Sequence, residues 1–477
     1  MYSMTAEKIA RVLCGMLFAG ASDVSASRVV IDSRDVEADT LFAALVGARA
    51  DGHEYLETAL DKGASILLVE QEDAAQRVAD HPSIVNGQAS VIVVRSVFKG
   101  ITGLASHQRD LMDMRNDVTV IGVTGSTGKT STKEFIASIL SSRKNVVATR
   151  GNQNNELGAP LTVLRVDDRT EVLIVEMGMR GKGQVRELAR MARPHMGVIS
   201  TLGTSHIELL GSREEIAHAK AELFRELPES GIALYRFEED FRDILIDAAE
   251  CEKISVGFDR AANVVLDNVI CDEQGCYQAR ITGPFGSFEF SLSVPGEHHL
   301  VNASFGIIIG ARLGIDNETL KEACKHATLS GMRFARVLDE ASGLTFINDA
   351  YNANPTSMAG ALHTFSHLCT RGKRIAVLGD MLELGDYAPE AHREIGALCS
   401  SLSIDTLLCY GELSAEMAQA AQDAGMPYVY HFELGKIDEL CQKLAAIAQP
   451  EDLILLKASR GCALEQVIEK MGAYRAC

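Results

Sequence analysis

The sequence predicts an α/β protein of three domains, with a central, mostly parallel sheet of the phosphate-loop type between two further α/β units. Three observations lead there. Short β-rich apolar runs alternate with helical patterns along the chain, as they do where helices connect parallel strands. At 477 residues the chain exceeds a single core, given roughly 150 residues per domain. Between 118 and 140 a β-branched strand, a glycine-rich turn and an amphipathic helix follow one another. The expected divisions are 1–95, 96–327 and 328–477.

In the first unit the apolar runs 28–31, 40–46, 65–70 and 90–94 read as strands, and 97–114 as a helix leading into the second. The run 12–21, preceded by Lys8 and Arg11, has the length of a signal-peptide core, but Glu7, Gly15 and Gly20 favour a short core helix. The second unit opens with strand 118–123 and continues through 172–177 and 197–201. Residues 264–294, broken by Asn268, Asp272, Gly275, Gly283, Pro284 and Gly286, predict antiparallel hairpins. Strands at 345–348, 374–379, 406–410 and 452–457 make the third unit.

Composition narrows the function classes. Lys and Arg number 46 against 65 Asp and Glu, a net charge of −19, which disfavours nucleic acid as a partner. No run approaches the ~20 apolar residues of a membrane span. The 11 cysteines are dispersed without a CxxC pair, a pattern of free thiols in a reducing, cytoplasmic compartment.

The strongest local signal is TGSTGKT at 124–130. Gly125 and Gly128 free the backbone so that N–H groups of Gly125, Ser126, Thr127, Gly128, Lys129, Thr130 and Ser131 can surround phosphate oxygens, and the following helix adds its positive end. Lys129 would reach the β- and γ-phosphates and Thr130 could ligate Mg²⁺. The strict pattern requires Gly at 123, where Val123 stands, so the loop is a variant. Ser126 and Thr127 read as solvent-facing. Glu176 ends strand 172–177, at the edge where ligands bind in open α/β sheets, placed either to share that Mg²⁺ or as a solvated strand end. His206 follows the next strand; by itself such a histidine is more often structural. A capping box at 212–215 starts a helix whose apolar face is Ile216, Ala219, Leu223 and Phe224. Lys220 flanks that face, and on pattern alone it is a snorkelling surface lysine.

Several segments together resemble the Mur ligase family of peptidoglycan synthesis: the variant loop 124–130, GNQNNELGAP at 151–160 and PGEHHLVN at 295–302. NDAYNANP at 348–355, GDMLELG at 379–385, EMGMRG at 176–181 and KASR at 457–460 are similar to the member that adds D-alanyl-D-alanine. The resemblance covers essentially the whole chain and is weakest over 225–295. It implies an N-terminal UDP-sugar-binding domain, a central ATP-binding domain and a C-terminal Rossmann-like domain for the incoming dipeptide. It further implies an ATP-dependent ligase that phosphorylates the carboxylate of UDP-MurNAc-tripeptide and passes the acyl group to D-Ala-D-Ala. By that likeness Thr130 and Glu176 hold one Mg²⁺, and a second lies between His206 and a carbamylated Lys220. Asn302 contacts adenine; Arg333 (with Arg336 as the competing alignment) and Asp349 reach the nucleotide. Ser33, Arg34, Gly47, Asp51, His53, Asn154 and Asn155 serve the UDP substrate. Tyr351, Asn352 and Asn354 line the dipeptide pocket, the rival for Asn354 being a cap of the turn before Pro355. A monomer is expected. Two other readings stand beside this one: another ligase of the superfamily, including folylpolyglutamate synthase, and a nucleotide-driven conformational switch.

Overall fold

The computed structural model describes residues 1–47, 50–329, 331–340 and 343–475. The N-terminal sheet has five strands in the order Met16–Gly20, Ser90–Val93, Ala64–Val69, Thr40–Ala43, Arg28–Val30. All neighbours are parallel except the first pair. That first strand overturns the helix expected over 12–21. The helix there is Ala6–Val12, and Met16–Gly20 is an antiparallel edge strand. The two glycines explain the difference. A Cβ on Gly15 would sit 2.8 Å from the Val93 carbonyl oxygen, and Gly20 has φ +92°, so both serve a close backbone approach.

The central sheet is built around β1 (Thr119–Thr124), which runs through the phosphate loop into α1 (Lys129–Leu140). β2 (Val172–Glu176) and β3 (Met196–Ile199) flank β1, and α2 (Arg213–Arg225) follows β3. Sheet order is Val146–Ala148, β2, β1, β3, Ile232–Arg236, Glu252–Gly257, Val264–Cys271, Cys276–Gly283, Gly286–Pro295. The strands are parallel as far as Val264–Cys271, and the last three form the antiparallel extension expected from the glycine-punctuated segment. Alternation splits β1 between two cores: Val120 packs to one side, Ile121 and Val123 to the other beneath α1 and α3 (His298–Arg312). Both faces are covered, which is why the strand reads as a continuous apolar run.

The third sheet has six strands in the order Ala335–Asp339, β4 (Leu344–Asn348), β5 (Leu453–Lys457), Arg374–Gly379, Thr406–Tyr410, Val429–Phe432. Only the first pair is antiparallel. Helix α4 (Pro355–His367) begins just after β4. The C-terminal ends of β1, β2 and β3 therefore meet the C-terminal ends of β4 and β5 across one crevice. Among the described residues no helix is long and apolar enough to cross a membrane.

Candidate active site

A cavity of about 1580 Å³ occupies that crevice, with walls from the central and third domains and from the helix Val97–Arg115. The phosphate loop is its floor. Gly125 has φ +147° and Gly128 φ +80°, and a Cβ on Gly125 would lie 2.1 Å from Ser200 Oγ. The segment after β3 braces the loop: Ser126 N donates to Thr201 O at 2.7 Å and Ser200 Oγ to Thr127 O at 2.6 Å. Ser126 is thus buried at 5% exposure, not solvent-facing, because its backbone is pinned under that strap. Lys129 opens α1, and its Nζ donates to the carbonyls of Gly125 (2.8 Å) and Ser126 (3.0 Å). Burial lowers the pKa of this amine; Glu176 opposes the shift and Arg333 adds to it.

Glu176 is fully buried, so the solvated strand end is excluded. Its Oε1 accepts from Thr130 Oγ1 at 3.1 Å and Asn154 Nδ2 at 2.7 Å. Its Oε2 has no hydrogen-bond partner, and Lys133 Nζ stands 4.0 Å away. Lys220 corrects the pattern-based reading outright. The serine cap forms as expected, Ser212 Oγ accepting from Glu215 N, but the lysine points inward at 0% exposure and its Nζ has no partner. Burial, then repulsion from Lys129, holds its pKa well below the ordinary value. His206 has φ +64°; its buried Nδ1 makes no hydrogen bond but stands in ion-pair contact, 2.8 Å, with Glu383 Oε2 of the third domain. Burial lowers its pKa, Lys220 contributes in the same direction, and Glu383 opposes.

On the nucleotide side, Asn302 is buried on α3; its Oδ1 accepts from Thr132 Oγ1 at 3.2 Å, and it lies beside Gly128. Arg333 stacks its guanidinium 4.4 Å from the Tyr351 ring centre and lines the cavity. Arg336 is exposed on the edge strand and does not line it. Both Asp349 oxygens are engaged, Oδ1 by Phe334 N and Oδ2 by Lys457 Nζ at 2.7 Å. Asn352 is exposed at the cavity, and its carbonyl accepts from Lys457. Asn354 is the N-cap of α4: its Oδ1 accepts from Ser357 N at 2.9 Å. Its Nδ2 donates across the domain boundary to Thr127 Oγ1 (3.1 Å) and Ser205 Oγ (3.0 Å).

The residues expected at the UDP substrate separate into two places. Asn154 and Asn155 line the central cavity, where Asn155 Oδ1 accepts from Gly158 N. Ser33, Arg34, Gly47, Asp51 and His53 lie outside its lining. Arg34 pairs with Asp32 at 2.6 Å, and its hydrogen bonds push the Asp32 carboxyl down to about 2. The buried ring of His53 is engaged within its own domain, Nδ1 at 2.7 Å from Asp51 Oδ1 and Nε2 accepting from Glu70 N. Sequence reasoning missed Lys133 and Glu383. Lys133 stands one helical turn after Lys129 on α1, and its buried Nζ donates to Thr149 O at 2.8 Å; that spacing was the available signal. Glu383 lay unassigned in the quoted segment 379–385.

Three family models match in the order the sheets stand: the Mur ligase family catalytic domain over 26–109, the Mur ligase middle domain over 123–310, and the Mur ligase glutamate ligase domain over 332–460. The UDP-N-acetylmuramoyl-tripeptide–D-alanyl-D-alanine ligase of Bacillus subtilis (strain 168) is 36% identical over 449 residues, covering 93% of this chain and 92% of that protein. The structure of MurF from Acinetobacter baumannii aligns with TM-score 0.83 and 26% identity over 99% of both chains. MurF ligase from Thermotoga maritima in complex with ADP aligns with TM-score 0.75 and 26% identity, over 94% of this chain and 98% of that one. With sheet order, variant phosphate loop and whole-length similarity in agreement, this chain belongs to the Mur ligase family.

Proposed function

We infer that this chain joins D-alanyl-D-alanine to the terminal carboxylate of UDP-N-acetylmuramoyl-tripeptide, with ATP converted to ADP and phosphate. The observation that carries the reading is similarity along 93% of the chain to a ligase named for that reaction. The cavity agrees with it, since Asn354 ties the dipeptide segment directly to the phosphate loop at Thr127. In the first step a carboxylate oxygen takes the γ-phosphoryl group and ADP leaves. In the second the dipeptide amine attacks the acyl carbon, the C–N bond forms and the C–O bond to phosphate breaks. The protein's part is positioning and charge neutralisation. Lys129 and the N–H groups from Gly125 to Ser131 would hold the phosphates, Asn302 the adenine, and Arg333 with Asp349 the nucleotide from the third domain. Ser33, Arg34 and Gly47 would hold the uridine diphosphate end, Asn154 and Asn155 the reacting end of the same substrate. Tyr351 and Asn352 would face the dipeptide, and Asn354 would position them through the cap of α4.

The residues present fit Mg²⁺. Glu176 Oε2 is a buried carboxylate oxygen without a partner, and Thr130 stands beside its other oxygen. One carboxylate plus phosphate oxygens is how this ion is commonly held. His206 and Lys220 would serve a second ion. Lys220 is orphaned and burial lowers its pKa, which favours the uncharged amine that can add CO₂: the lone pair would bond to carbon, a proton would leave, and a carbamate would remain. Bound Mg²⁺ would spread negative charge on the phosphate oxygens. The cytoplasm is the proposed compartment, in keeping with ten unpaired cysteines among the described residues.

The test is substrate dependence. Release of ADP and phosphate should require both UDP-MurNAc-tripeptide and D-Ala-D-Ala, and the product mass should equal their sum less water. Turnover with glutamate in place of the dipeptide, or ATP hydrolysis indifferent to both substrates, would overturn the reading.

A further inference from the structure

Of nine non-glycine residues with positive φ among the described residues, two face each other across the boundary between the central and third domains: His206 and Glu383, each at φ +64°. Histidine is, with Asn and Asp, among the types enriched in this region, but glutamate is not. His206 Nδ1, buried and otherwise without a hydrogen-bond partner, meets Glu383 Oε2 at 2.8 Å in an ion-pair contact rather than a formed hydrogen bond, with the histidine side chain 21% and the glutamate 50% exposed. A half-exposed pair of this kind contributes little stability, less than two left-handed backbones cost, so stability alone does not explain the arrangement. The surroundings hold both strands of the contact in place. Gly385, at φ +54°, packs so closely on the short helix Ile207–Leu210 that a Cβ there would lie 3.1 Å from Glu208. Ser205, next to His206, hydrogen-bonds both Ser126 O of the phosphate loop and Asn354 of the third domain. Both His206 and Glu383 line the cavity.

We propose that Glu383 is a positioning residue of the ligase: reaching over from the third domain, it takes the Nδ1 side of His206 and leaves Nε2 as the ring's working nitrogen. A histidine that offers one ring nitrogen to a site is commonly fixed by a carboxylate on the other, which sets tautomer and ring angle. Here that carboxylate belongs to a different domain from the imidazole, so the ring is set only when the dipeptide domain stands against the phosphate loop. The inference rests on the ligase reading for its consequence in catalysis; the tautomer assignment does not depend on it.

The test compares Glu383→Ala and Glu383→Gln with the parent enzyme. Ring nitrogens of ¹⁵N-labelled histidine are read by NMR in the ligand-free protein, with His206 assigned among 13 histidines by its loss in His206→Gln. The parent should show the Nδ1–H form, Glu383→Ala a shift toward Nε2–H, and Glu383→Gln an intermediate spectrum. With substrates, kcat of Glu383→Ala should fall about 10–100-fold, while KM for ATP stays within about threefold because the phosphate loop itself is untouched. A Glu383→Ala enzyme with parental kcat overturns the proposal. So does one that loses activity with the His206 spectrum unchanged, which would mark Glu383 as merely structural. If the parent fails to ligate the dipeptide, the ligase reading falls, and the tautomer comparison still decides the role of Glu383.

Discussion

Replacing Lys220 with Met separates a catalytic lysine from a structural one, because the two roles predict opposite signs. The side chain is fully buried and its Nζ has no partner. An unsatisfied buried polar group costs about 1–3 kcal/mol. Met keeps most of the apolar stem, and such near-isosteric exchanges cost less than about 1.5 kcal/mol. The net expectation for Lys220→Met is a gain on the order of 1 kcal/mol, raising Tm by about 2–4 °C for a domain of this size. The pH dependence has a fixed sign. Burial holds the folded amine's pKa below 10.5, so between the two values the unfolded state binds more protons and the parent gains stability as pH rises. The advantage of Lys220→Met should therefore be largest at low pH and shrink toward pH 10.5. Melts are to be run with chelator and in CO₂-depleted buffer, so that neither metal nor carbamate masks the amine. Ligation by the same variant should fall about 10³-fold, the scale of a lost electrostatic group in such a site. A carboxylate at this position should restore function where a cation does not: Lys220→Glu should exceed Lys220→Arg, and short carboxylic acids should partly rescue Lys220→Ala. A destabilised Lys220→Met, or a fully active Lys220→Arg, would refute the reasoning.

Lys129→Ala should abolish ligation by about 10³-fold with an unchanged circular dichroism spectrum, since Nζ bonds only loop carbonyls; near-normal turnover would remove the loop from the chemistry. Gly125→Ala should weaken ATP binding in calorimetry, because the new Cβ meets Ser200 Oγ at 2.1 Å in a backbone region closed to alanine. His53→Ala should lower Tm through lost hydrogen bonds worth about 1–3 kcal/mol, and leave KM for the UDP substrate unchanged; a raised KM would return this residue to the binding site. Glu239 accepts from Leu202 N at 2.9 Å, and burial pushes its carboxyl up to about 7 from 4.5. Its stabilising share is complete below pH 4.5 and is lost as pH rises through 7. Glu239→Gln should then match the parent in acid melts and exceed it above pH 7 by up to about 3 kcal/mol.

Much of the fold was legible because parallel strands buried on both faces read as unbroken apolar runs, and glycines mark where such runs end. Strand 172–177 and the hairpins of 264–294 emerged as expected from those two signals. Residues 12–21 did not, because ten apolar or small residues in a row satisfy a helix and an edge strand equally. The decision fell to backbone contacts of Gly15 and Gly20 with a strand some seventy residues later, which no local pattern contains. The short strands Val146–Ala148 and Val429–Phe432 were missed for a similar reason: three or four half-buried residues carry almost no periodicity.

Within the site, legibility followed the distance over which each role is defined. The phosphate loop is defined by its own seven residues, so its turn and the helix after it were legible, while the strap that buries Ser126 was not. Glu176 needed only its place at a strand end. Lys220 needed the whole domain, because helix periodicity puts it beside the buried face while β1, β3 and the loop that carries Lys129 decide whether that flank is covered. Asn354 shows the same limit from the other direction. Its position before Pro355 correctly marks a cap, yet the donor that the cap leaves over reaches Thr127 in another domain. A residue whose oxygen is taken by its own helix and whose nitrogen is taken by the phosphate loop has little left for a ligand. Its contribution to dipeptide binding must then run through the placement of Tyr351 and Asn352, so Asn354→Ala should disturb the ATP and dipeptide steps together, where Asn352→Ala should raise KM for the dipeptide alone.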